Sequence, residues 1–376
     1  MLAQSGTSYQ VLVNPQVLSG KDDEESERVR ISILVSDALG MNYDDVYAKV
    51  SRTEKQQLVL KRQVSSEVVD QIIALQLGGT ISFATDYTRY YSNGKLFAQL
   101  IGFTGLDGEG QTGIEASLDK YLAGIDGRIA TPKDARGNPL AYGEEEYIAP
   151  TNGYDVRVTA DANAEAYLET ALAECMSVNN AKTVTGLVMD PKTGRILAAG
   201  SNPTFDLNSP DRSDVTSLMA MSRNRIVTDT FEPGSIFKII TLAAALDSGA
   251  VTMDSTFECS GSLRFRTESI KCWKRGGHGH QTLAEACENS CNCAFMQMAL
   301  AMGVDTFYDY IYAFGFGSET DSGVPGEDTG DVIHRKYIRD TDLARIGFGQ
   351  SVAVTPIQLL TAACSVVNGG KLLKPY

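Results

Sequence analysis

The chain has 376 residues, enough for two or more domains, and 43% of them are hydrophobic, so large cores can form. The formal net charge of −14 argues against a nucleic-acid partner, because surfaces that bind nucleic acids are basic. No run reaches about 18 apolar residues, the length that a membrane-spanning helix needs. The first residues also lack the basic start and the apolar core of a signal peptide.

Residues 1–150 are predicted to form one region that combines strands and helices. Lys21–Arg28 is a charged run, interpreted as a solvated helix start or a loop. The glycine-rich segment 102–110 is interpreted as a turn, since no strand precedes it and no G-K-S/T follows it, as a phosphate-binding loop would require. Apolar spacing predicts strands at 9–13, 57–64 and 81–84, helices at 44–50, 65–77 and 113–122, and a hairpin connection at 131–143.

Pro150–Gly153 marks the predicted boundary to a second region, residues 151–376. A hairpin is predicted where the apolar strands 184–190 and 194–199 flank a Pro-Lys-Thr turn. The remaining predictions are a strand at 155–159, a helix at 162–176, a β excursion at 259–272, a helix opened by the capping box Thr282–Glu285, an apolar helix from Cys293 that Gly303 closes, and a helix at 356–367.

Phe231–Lys238 is the stretch around which the second region is organised. Pro233 and Gly234 mark a turn, and the residues that follow are apolar on nearly every face, which predicts a helix buried inside a domain. Ser235 begins this helix and Lys238 lies three residues later, so the hydroxyl and the amine can meet.

This spacing suits nucleophilic catalysis. A neutral lysine can activate a serine, provided that burial lowers the lysine pKa of about 10.4 by roughly three units. The free N–H groups at the helix N-terminus suit an oxyanion. The alternative interpretation is an ordinary helix start with Lys238 reaching solvent, because S-x-x-K alone is a weak signal.

Five of the seven cysteines crowd into one stretch, and an odd, uneven set is a poor framework for disulfides. Cys272, His278 and His280 have the spacing C-x5-H-x-H, and a thiolate with two imidazoles is a good set of zinc ligands. A tetrahedral structural zinc needs one more ligand, which Cys259 or Asp254 could supply. The alternative is a buried thiol with two polar loop histidines.

Ser235-x-x-Lys238 is followed by Ser290-Cys291-Asn292 between two predicted helices, and this pair resembles the first two motifs of the penicillin-recognising serine transferases. The resemblance is to class B penicillin-binding proteins and covers nearly the whole chain. It rests further on Asp190–Gly194, Phe231–Ser235, Gly277–Gly279, Gly347–Gln350, Gly113–Glu115 and Gly124–Gly127.

The resemblance implies the fold. Residues 1–150 would form an α+β pedestal, a non-catalytic domain like the family's dimerisation domain. Residues 151–376 would form an α/β serine transpeptidase (β-lactamase-like) domain, in which helices flank an antiparallel sheet and the catalytic helix lies in the middle.

The resemblance also implies a reaction, peptidoglycan D,D-transpeptidation. Ser235 would attack the D-Ala-D-Ala carbonyl of a stem peptide, with Lys238 as the base and the Ser235 N–H as one oxyanion donor. Ser290 would relay protons to the leaving amine, and Asn292 would hold the substrate amide and Lys238. An amine of a neighbouring stem peptide would take the acyl group, and β-lactams would acylate the same serine. None of these steps requires a cofactor.

The third motif of the family, K-T-G, is expected on a strand that follows S-x-N. The only K-T-G here, Lys192–Gly194, precedes Ser235 at a predicted hairpin tip, and we interpret it as a solvated turn. The chain is therefore expected to be a C-terminally truncated fragment that also lacks the family's membrane anchor. The implied location is the extracytoplasmic face of the cell membrane, and the implied partners are stem peptides, β-lactams and other cell-wall synthesis proteins such as a glycosyltransferase.

Two other functions remain open at the level of the sequence. A β-lactamase would use the same serine and lysine, but it would need fast deacylation and would not explain the first 150 residues. A non-catalytic β-lactam sensor, or a scaffold of a division or sporulation complex, would use the fold without cross-linking.

Overall fold

The computed structural model describes residues 1–20, 22–130, 146–266 and 268–376. The chain divides into two compact units. The first unit comprises Met1–Gly94, Thr104–Gln111 and Leu207–Ser209. The second unit comprises Lys95–Phe103, Thr112–Asp206 and Pro210–Tyr376. The sequence-domain boundary near residue 150 stays a prediction.

The first unit is a three-stranded antiparallel sheet with helices packed on it. Its strand order is β2-β1-β3, so the first strand is central and pairs with both others. Val11, Leu12 and Val13 of the central strand are all buried, so this end of the strand is covered on both faces of the sheet. The elements are β1 (Ala3–Val13), α1 (Glu24–Leu39), α2 (Tyr43–Val50), β2 (Leu58–Val64), α3 (Ser66–Ala74) and β3 (Ile81–Tyr91), with short 3₁₀ turns at Pro15–Leu18 and Gly78–Thr80.

Helix α1 is longer than the charged run that suggested a helix start or a loop. Its first turns are polar and carry i,i+3 ion pairs such as Arg30 to Glu27, 3.0 Å between Nε and Oε1, which hide the helical signal at that end. Ile31, Val35 and Leu39 then bury one face of the helix in the core.

The second unit is built mostly from helices. Its early elements are α4 (Ala98–Ile101), α5 (Gly113–Ser117), α6 (Asp119–Leu122), β4 (Arg128–Ala130), β5 (Glu146–Ile148), α7 (Ala162–Asn179), β6 (Val184–Met189), β7 (Ile196–Asn202), α8 (Val215–Ser222) and α9 (Arg225–Thr228). Its later elements are α10 (Lys238–Asp247), β8 (Thr256–Cys259), β9 (Ser262–Arg264), β10 (Ser269–Lys271), β11 (Gly279–Thr282), α11 (Leu283–Glu288), α12 (Asn292–Ala313), β12 (Asp331–Val332), α13 (Asp340–Ile346), β13 (Val352–Ala353) and α14 (Pro356–Val367).

Two predictions of secondary structure in this unit are wrong. The single helix expected at 113–122 is two short helices, because Leu118 leaves helical geometry at φ −110° and ψ 13°. Residues 155–159 form no regular strand, although their spacing alternates. The hairpin connection expected at 131–143 lies outside the described residues.

The predicted helix signals around the core are confirmed. Thr282 caps α11 and Thr355 caps α14, each through a capping box. Gly303 adopts φ 75° and breaks α12 into two segments, as expected for a closing glycine. Within the described residues, no helix is both long and apolar enough to cross a membrane.

The predicted hairpin is the antiparallel pair β6–β7, with α7 packed on it. In the described part of the chain this sheet consists of these two strands. Lys192 and Thr193 lie exposed at its turn, where Asp190 accepts a hydrogen bond from the Lys192 N–H at 3.0 Å. This K-T-G is therefore a solvated turn, as interpreted.

Candidate active site

The Ser235 hydroxyl lies at the start of the helix that crosses the core of the second unit. A 3₁₀ turn at Gly234–Phe237 runs directly into α10, and Phe237 and Ile240 anchor both in the core with no exposed surface. Ile236 and Ile239 are 51% and 48% exposed, so the prediction of a helix buried on nearly every face is wrong. One face is buried, and Ser235 belongs to the exposed side.

The Gly347–Gln350 turn holds the residue before the serine. The Gly234 N–H donates to the Gly349 carbonyl at 2.8 Å, and Gly349 has φ +82°. A Cβ on Gly349 would lie 2.1 Å from the Gly234 oxygen, closer than any real contact. Only glycine fits there, because both the conformation and the approach exclude a side chain.

The Lys238 ammonium group lies among four oxygen atoms. Its Nζ is 3.3 Å from Ser235 Oγ, 2.9 Å from Ser290 Oγ, 2.8 Å from the Ser290 carbonyl and 2.7 Å from Asn292 Oδ1. The carbonyl and the amide oxygen can only accept, so they take two N–H groups. A neutral amine then keeps its lone pair for a hydroxyl proton, which is the arrangement that a general base requires.

Burial favours that neutral form. Lys238 is 4% exposed, and desolvation lowers the pKa of its ammonium group to about 8. The nearby thiols of Cys272 and Cys291 act in the opposite direction and are smaller causes. The shift has the direction that the sequence analysis required, and about 8 lies within reach of neutral pH.

The Ser290-Cys291-Asn292 turn owes its shape to the end of α11. The Ser290 N–H donates to the Cys287 carbonyl and the Cys291 N–H to the Ala286 carbonyl, at 2.9 and 3.0 Å, which is the Schellman pattern of a helix end. Ser290 occupies the left-handed position of this motif, with φ +45°, where glycine is the usual residue. Its hydroxyl and its carbonyl both reach Lys238 from there.

Three cysteines and a histidine meet beside this turn. The ligand atoms of Cys259, Cys272, His278 and Cys291 all lie within 4.8 Å of one another. His278 Nδ1 is 3.6 Å from the Cys259 sulfur and 3.8 Å from the Cys272 sulfur. All the cysteines are free thiols, and the three in this group are buried.

The cluster in the structure differs from the predicted set of zinc ligands in one residue. Cys259, Cys272 and His278 come together, but His280 does not, because its Nδ1 pairs with the Glu258 carboxylate at 2.8 Å on an exposed strand. Cys291 takes its place. The sequence analysis missed Cys291 as a ligand because it is the middle residue of S-C-N. No spacing signal marks Cys291 as a ligand, because its approach to the other three residues depends on tertiary packing.

The geometry of the group suits a tetrahedral metal ion. A zinc ion with Zn–S of about 2.3 Å and Zn–N of about 2.0 Å sets its ligand atoms about 3.5–3.8 Å apart. The two sulfur–nitrogen distances of 3.6 and 3.8 Å agree with that spacing. Asp254, the other fourth ligand considered, is not part of the group.

Comparison with known proteins identifies the family. Residues 184–376 match the penicillin binding protein transpeptidase domain, and residues 1–158 match the penicillin-binding protein dimerisation domain. These two matches cover the N-terminal and the C-terminal part of the chain, and the exposed serine that faces a buried lysine lies within the transpeptidase match. The chain belongs to the class B penicillin-binding proteins, and the family and fold predictions are confirmed.

Several curated relatives are named for cell-wall or sporulation functions. "Stage V sporulation protein D" of Bacillus subtilis (strain 168) is 35% identical over 90% of this chain and 52% of its own length. "Probable peptidoglycan D,D-transpeptidase PenA" of Neisseria gonorrhoeae is 30% identical over 90% of this chain and 57% of its own. "Peptidoglycan D,D-transpeptidase FtsI" of Escherichia coli (strain K12) is 29% identical over 89% and 56%. The chain spans about half the length of these relatives.

Solved structures have the same fold. Penicillin Binding Protein 2X from Streptococcus thermophilus superposes with a TM-score of 0.76 at 24% identity, covering 100% of this chain and 57% of that one. A peptidoglycan synthetase from Bifidobacterium adolescentis superposes with a TM-score of 0.73 at 28% identity, covering 99% of this chain and 71% of that one.

Proposed function

We propose that the protein is a serine-type peptidoglycan D,D-transpeptidase. One observation carries the proposal: Lys238 Nζ lies 3.3 Å from Ser235 Oγ and within 3.0 Å of both Ser290 Oγ and Asn292 Oδ1. The candidate nucleophile and two supporting side chains therefore all contact the nitrogen of the candidate base. The names of the relatives support the same reaction.

Acylation begins with the Ser235 hydroxyl. Lys238 takes its proton while Oγ attacks the carbonyl of the penultimate D-Ala, and the Ser235 N–H stabilises the oxyanion. The C–N bond then breaks. The proton returns from Lys238 through the Ser290 hydroxyl to the leaving nitrogen, so D-Ala departs as an amine and an ester remains on Ser235. Asn292 keeps its Oδ1 on Lys238 at 2.7 Å, which leaves its Nδ2 to donate to the substrate amide.

Transfer reverses these proton movements. An amine of a neighbouring stem peptide attacks the ester carbonyl and gives up a proton to Lys238. The proton then returns to Ser235 Oγ as the ester bond breaks, so the cross-link forms and the free serine is restored. A β-lactam acylates the same serine through its strained amide and stays attached.

The substrates and the reaction determine the setting that we propose. Stem peptides lie outside the cell membrane, so the protein acts on its extracytoplasmic face. The partners proposed there are other cell-wall synthesis proteins, including a glycosyltransferase that supplies the strands to be cross-linked. No cofactor takes part in the chemistry.

Labelling with a fluorescent penicillin tests the function. The full-length protein is expected to bind the dye covalently at Ser235, and Ser235→Ala is expected to lose the label. Ser260→Ala is the control, since Ser260 is another exposed serine of the same unit. Equal labelling of Ser235→Ala would overturn the proposal.

A cross-linking assay with purified stem peptides separates the alternatives. Stable labelling with cross-linked product supports the transpeptidase. Stable labelling without product supports the sensor or scaffold, and rapid release of hydrolysed penicillin supports a β-lactamase.

We further propose that Cys259, Cys272, His278 and Cys291 hold a structural zinc ion. Three buried thiols and an imidazole nitrogen within 4.8 Å of one another support a Cys₃His site. The ion would fix the β8–β11 segment to the S-C-N turn. It would supply structure there and would not enter the acyl-transfer chemistry.

Metal analysis of the purified protein tests the zinc proposal. One zinc per chain is expected, and Cys259→Ser is expected to lose it. Cys364→Ser and His280→Ala are controls that should keep the metal, because Cys364 is a buried thiol outside the group and His280 pairs with Glu258. Zinc-free wild-type protein would contradict the proposal.

A further inference from the structure

Trp273 is the single tryptophan of the chain, and it contacts both His278 of the cysteine–histidine cluster and Ser290 of the S-C-N turn. Its side chain is 63% exposed, yet its Nε1–H donates to the carbonyls of Asn289 and Ser290 at 3.1 and 3.2 Å. Its ring also packs edge-on against the His278 ring, with centroids 5.2 Å apart. An exposed ring held at two points has a fixed orientation.

The Ser290 carbonyl accepts from two side chains. Lys238 Nζ donates to it at 2.8 Å and Trp273 Nε1 at 3.2 Å. The carbonyls at a helix end have no partner within the helix, so side-chain donors satisfy them. The two donors therefore fix the peptide plane that leaves Ser290.

The two peptide planes that flank Ser290 set the position of its hydroxyl, because together they orient the Cα–Cβ bond. Trp273 holds both planes, since its Nε1–H is shared between the Asn289 and Ser290 carbonyls. Ser290 has φ +45°, a strained conformation for a residue with a Cβ. The Ser290 Oγ to Lys238 Nζ distance of 2.9 Å depends on this conformation. Without the indole donor, both peptide planes that flank Ser290 lose one hydrogen bond, and rotation of the 289–290 plane would change φ of Ser290 and move Oγ away from the lysine.

We propose that Trp273 is a positioning residue for the acylation step: its N–H holds the Ser290 peptide so that the Ser290 hydroxyl stays on Lys238. The inference rests on the proposed acyl-transfer function. Trp273 does not touch the reacting atoms, so it acts on the rate of acylation and leaves the preceding non-covalent binding unchanged.

An isosteric replacement tests this role. Site-specific incorporation of 3-benzothienylalanine at position 273 keeps the ring shape but puts sulfur in place of the N–H. 5-Fluorotryptophan at the same position is the matched control, because it keeps the donor. Stopped-flow acylation by a chromogenic cephalosporin gives the first-order acylation constant and the dissociation constant of the non-covalent complex separately.

The benzothienyl protein is expected to acylate about tenfold more slowly, as the loss of one hydrogen bond implies, with the dissociation constant unchanged. The fluorotryptophan protein is expected to match the wild type. An unchanged acylation constant would overturn the inference while the proposed function stands. A change confined to the dissociation constant would also overturn it, since Trp273 would then contact the ligand. A wild type that is never acylated at Ser235 would remove the proposed function and the inference together.

Discussion

Lys238 is the residue on which the proposed chemistry depends most. Its side chain is buried on a helix whose other face is exposed, so its environment disfavours the ammonium form while its neighbour Ser235 stays accessible. Phe295 adds its ring face at 5.3 Å from Nζ. The oxygen atoms fix the position of the amine, while desolvation by burial outweighs their stabilisation of the ammonium form and lowers the pKa of Lys238.

The acylation rate should therefore follow the titration of Lys238. Burial lowers its pKa to about 8, so the neutral amine is the minor form below that pH and the major form above it. The second-order acylation constant is expected to rise about tenfold per pH unit up to about pH 7 and to level off above about pH 8.5. Stopped-flow acylation across this range measures the profile. A flat profile would contradict the assignment of Lys238 as base.

At the scale of elements, the Gly347–Gln350 turn supports the 3₁₀ turn that carries Ser235. Gly349→Ala would place its Cβ 2.1 Å from the Gly234 oxygen, so the turn before Ser235 must shift. Acylation is expected to fall by more than about tenfold, since small displacements of reacting groups are costly. Gly249→Ala is the matched control, because Gly249 has a similar φ of +72° but nothing within 4 Å of a Cβ.

Equal acylation by the two glycine variants would show that the close approach at Gly349 does not position the serine. Alanine at a positive φ strains the backbone by about 1–2 kcal/mol in both variants. Thermal unfolding of both proteins measures this shared loss of stability.

Local patterns predicted the helix caps and the approach of Lys238 to Ser235 in the proposed active site. S-x-x-K brings two side chains one helical turn apart, so they can meet. Thr282 and Thr355 each begin a capping box, which predicts the start of a helix from the sequence. The prediction of one continuous helix at 113–122 was wrong, because no glycine or proline in the sequence marks the break at Leu118. The prediction that Ile236 and Ile239 are buried was wrong, because composition does not show which apolar face of a helix the rest of the domain covers.

Long-range placement was beyond the sequence. Cys291 lies next to Cys259, Cys272 and His278 because α11 ends close to β8 and to the loop after β10. His280 lies outside this cluster because its side chain, on strand β11, pairs with Glu258. Trp273 likewise reaches Ser290 across seventeen positions of chain. Such meetings depend on tertiary packing, which spacing alone does not encode.

At the scale of the whole molecule, each unit has its own buried core. That of the first unit lies between its sheet and its helices, and a nearly buried ion pair supports the sheet. Arg62 donates from Nε and from its terminal nitrogen to both oxygens of Asp86, at 3.1 and 2.9 Å, and Asp86 is 6% exposed. The Arg62 guanidinium lowers the pKa of the Asp86 carboxyl.

Arg62→Ala is expected to cost about 3 kcal/mol in the free energy of unfolding at pH 7, because it leaves a buried carboxylate without its cation. Asp86 has a lowered pKa in the folded state, so its contribution is present above the unfolded pKa of about 3.9 and is lost as pH falls below it. Urea unfolding at pH 7 and pH 3 should show the gap to wild type shrink at low pH.

Arg52→Ala is the control, since its pair with Glu54 is exposed and should contribute less than about 1 kcal/mol. An Arg62→Ala protein as stable as the control at pH 7 would refute the role of this pair.

Comparison of two lysine variants tests the central claim most directly. The second-order constant for acylation of Ser235 by a penicillin should fall by about 10²–10⁴-fold in Lys238→Ala, the range that a positioned general base contributes. It should stay at the wild-type value in Lys192→Ala, whose lysine belongs to the solvated K-T-G turn. Near wild-type acylation in Lys238→Ala, or a comparable loss in Lys192→Ala, would contradict the account.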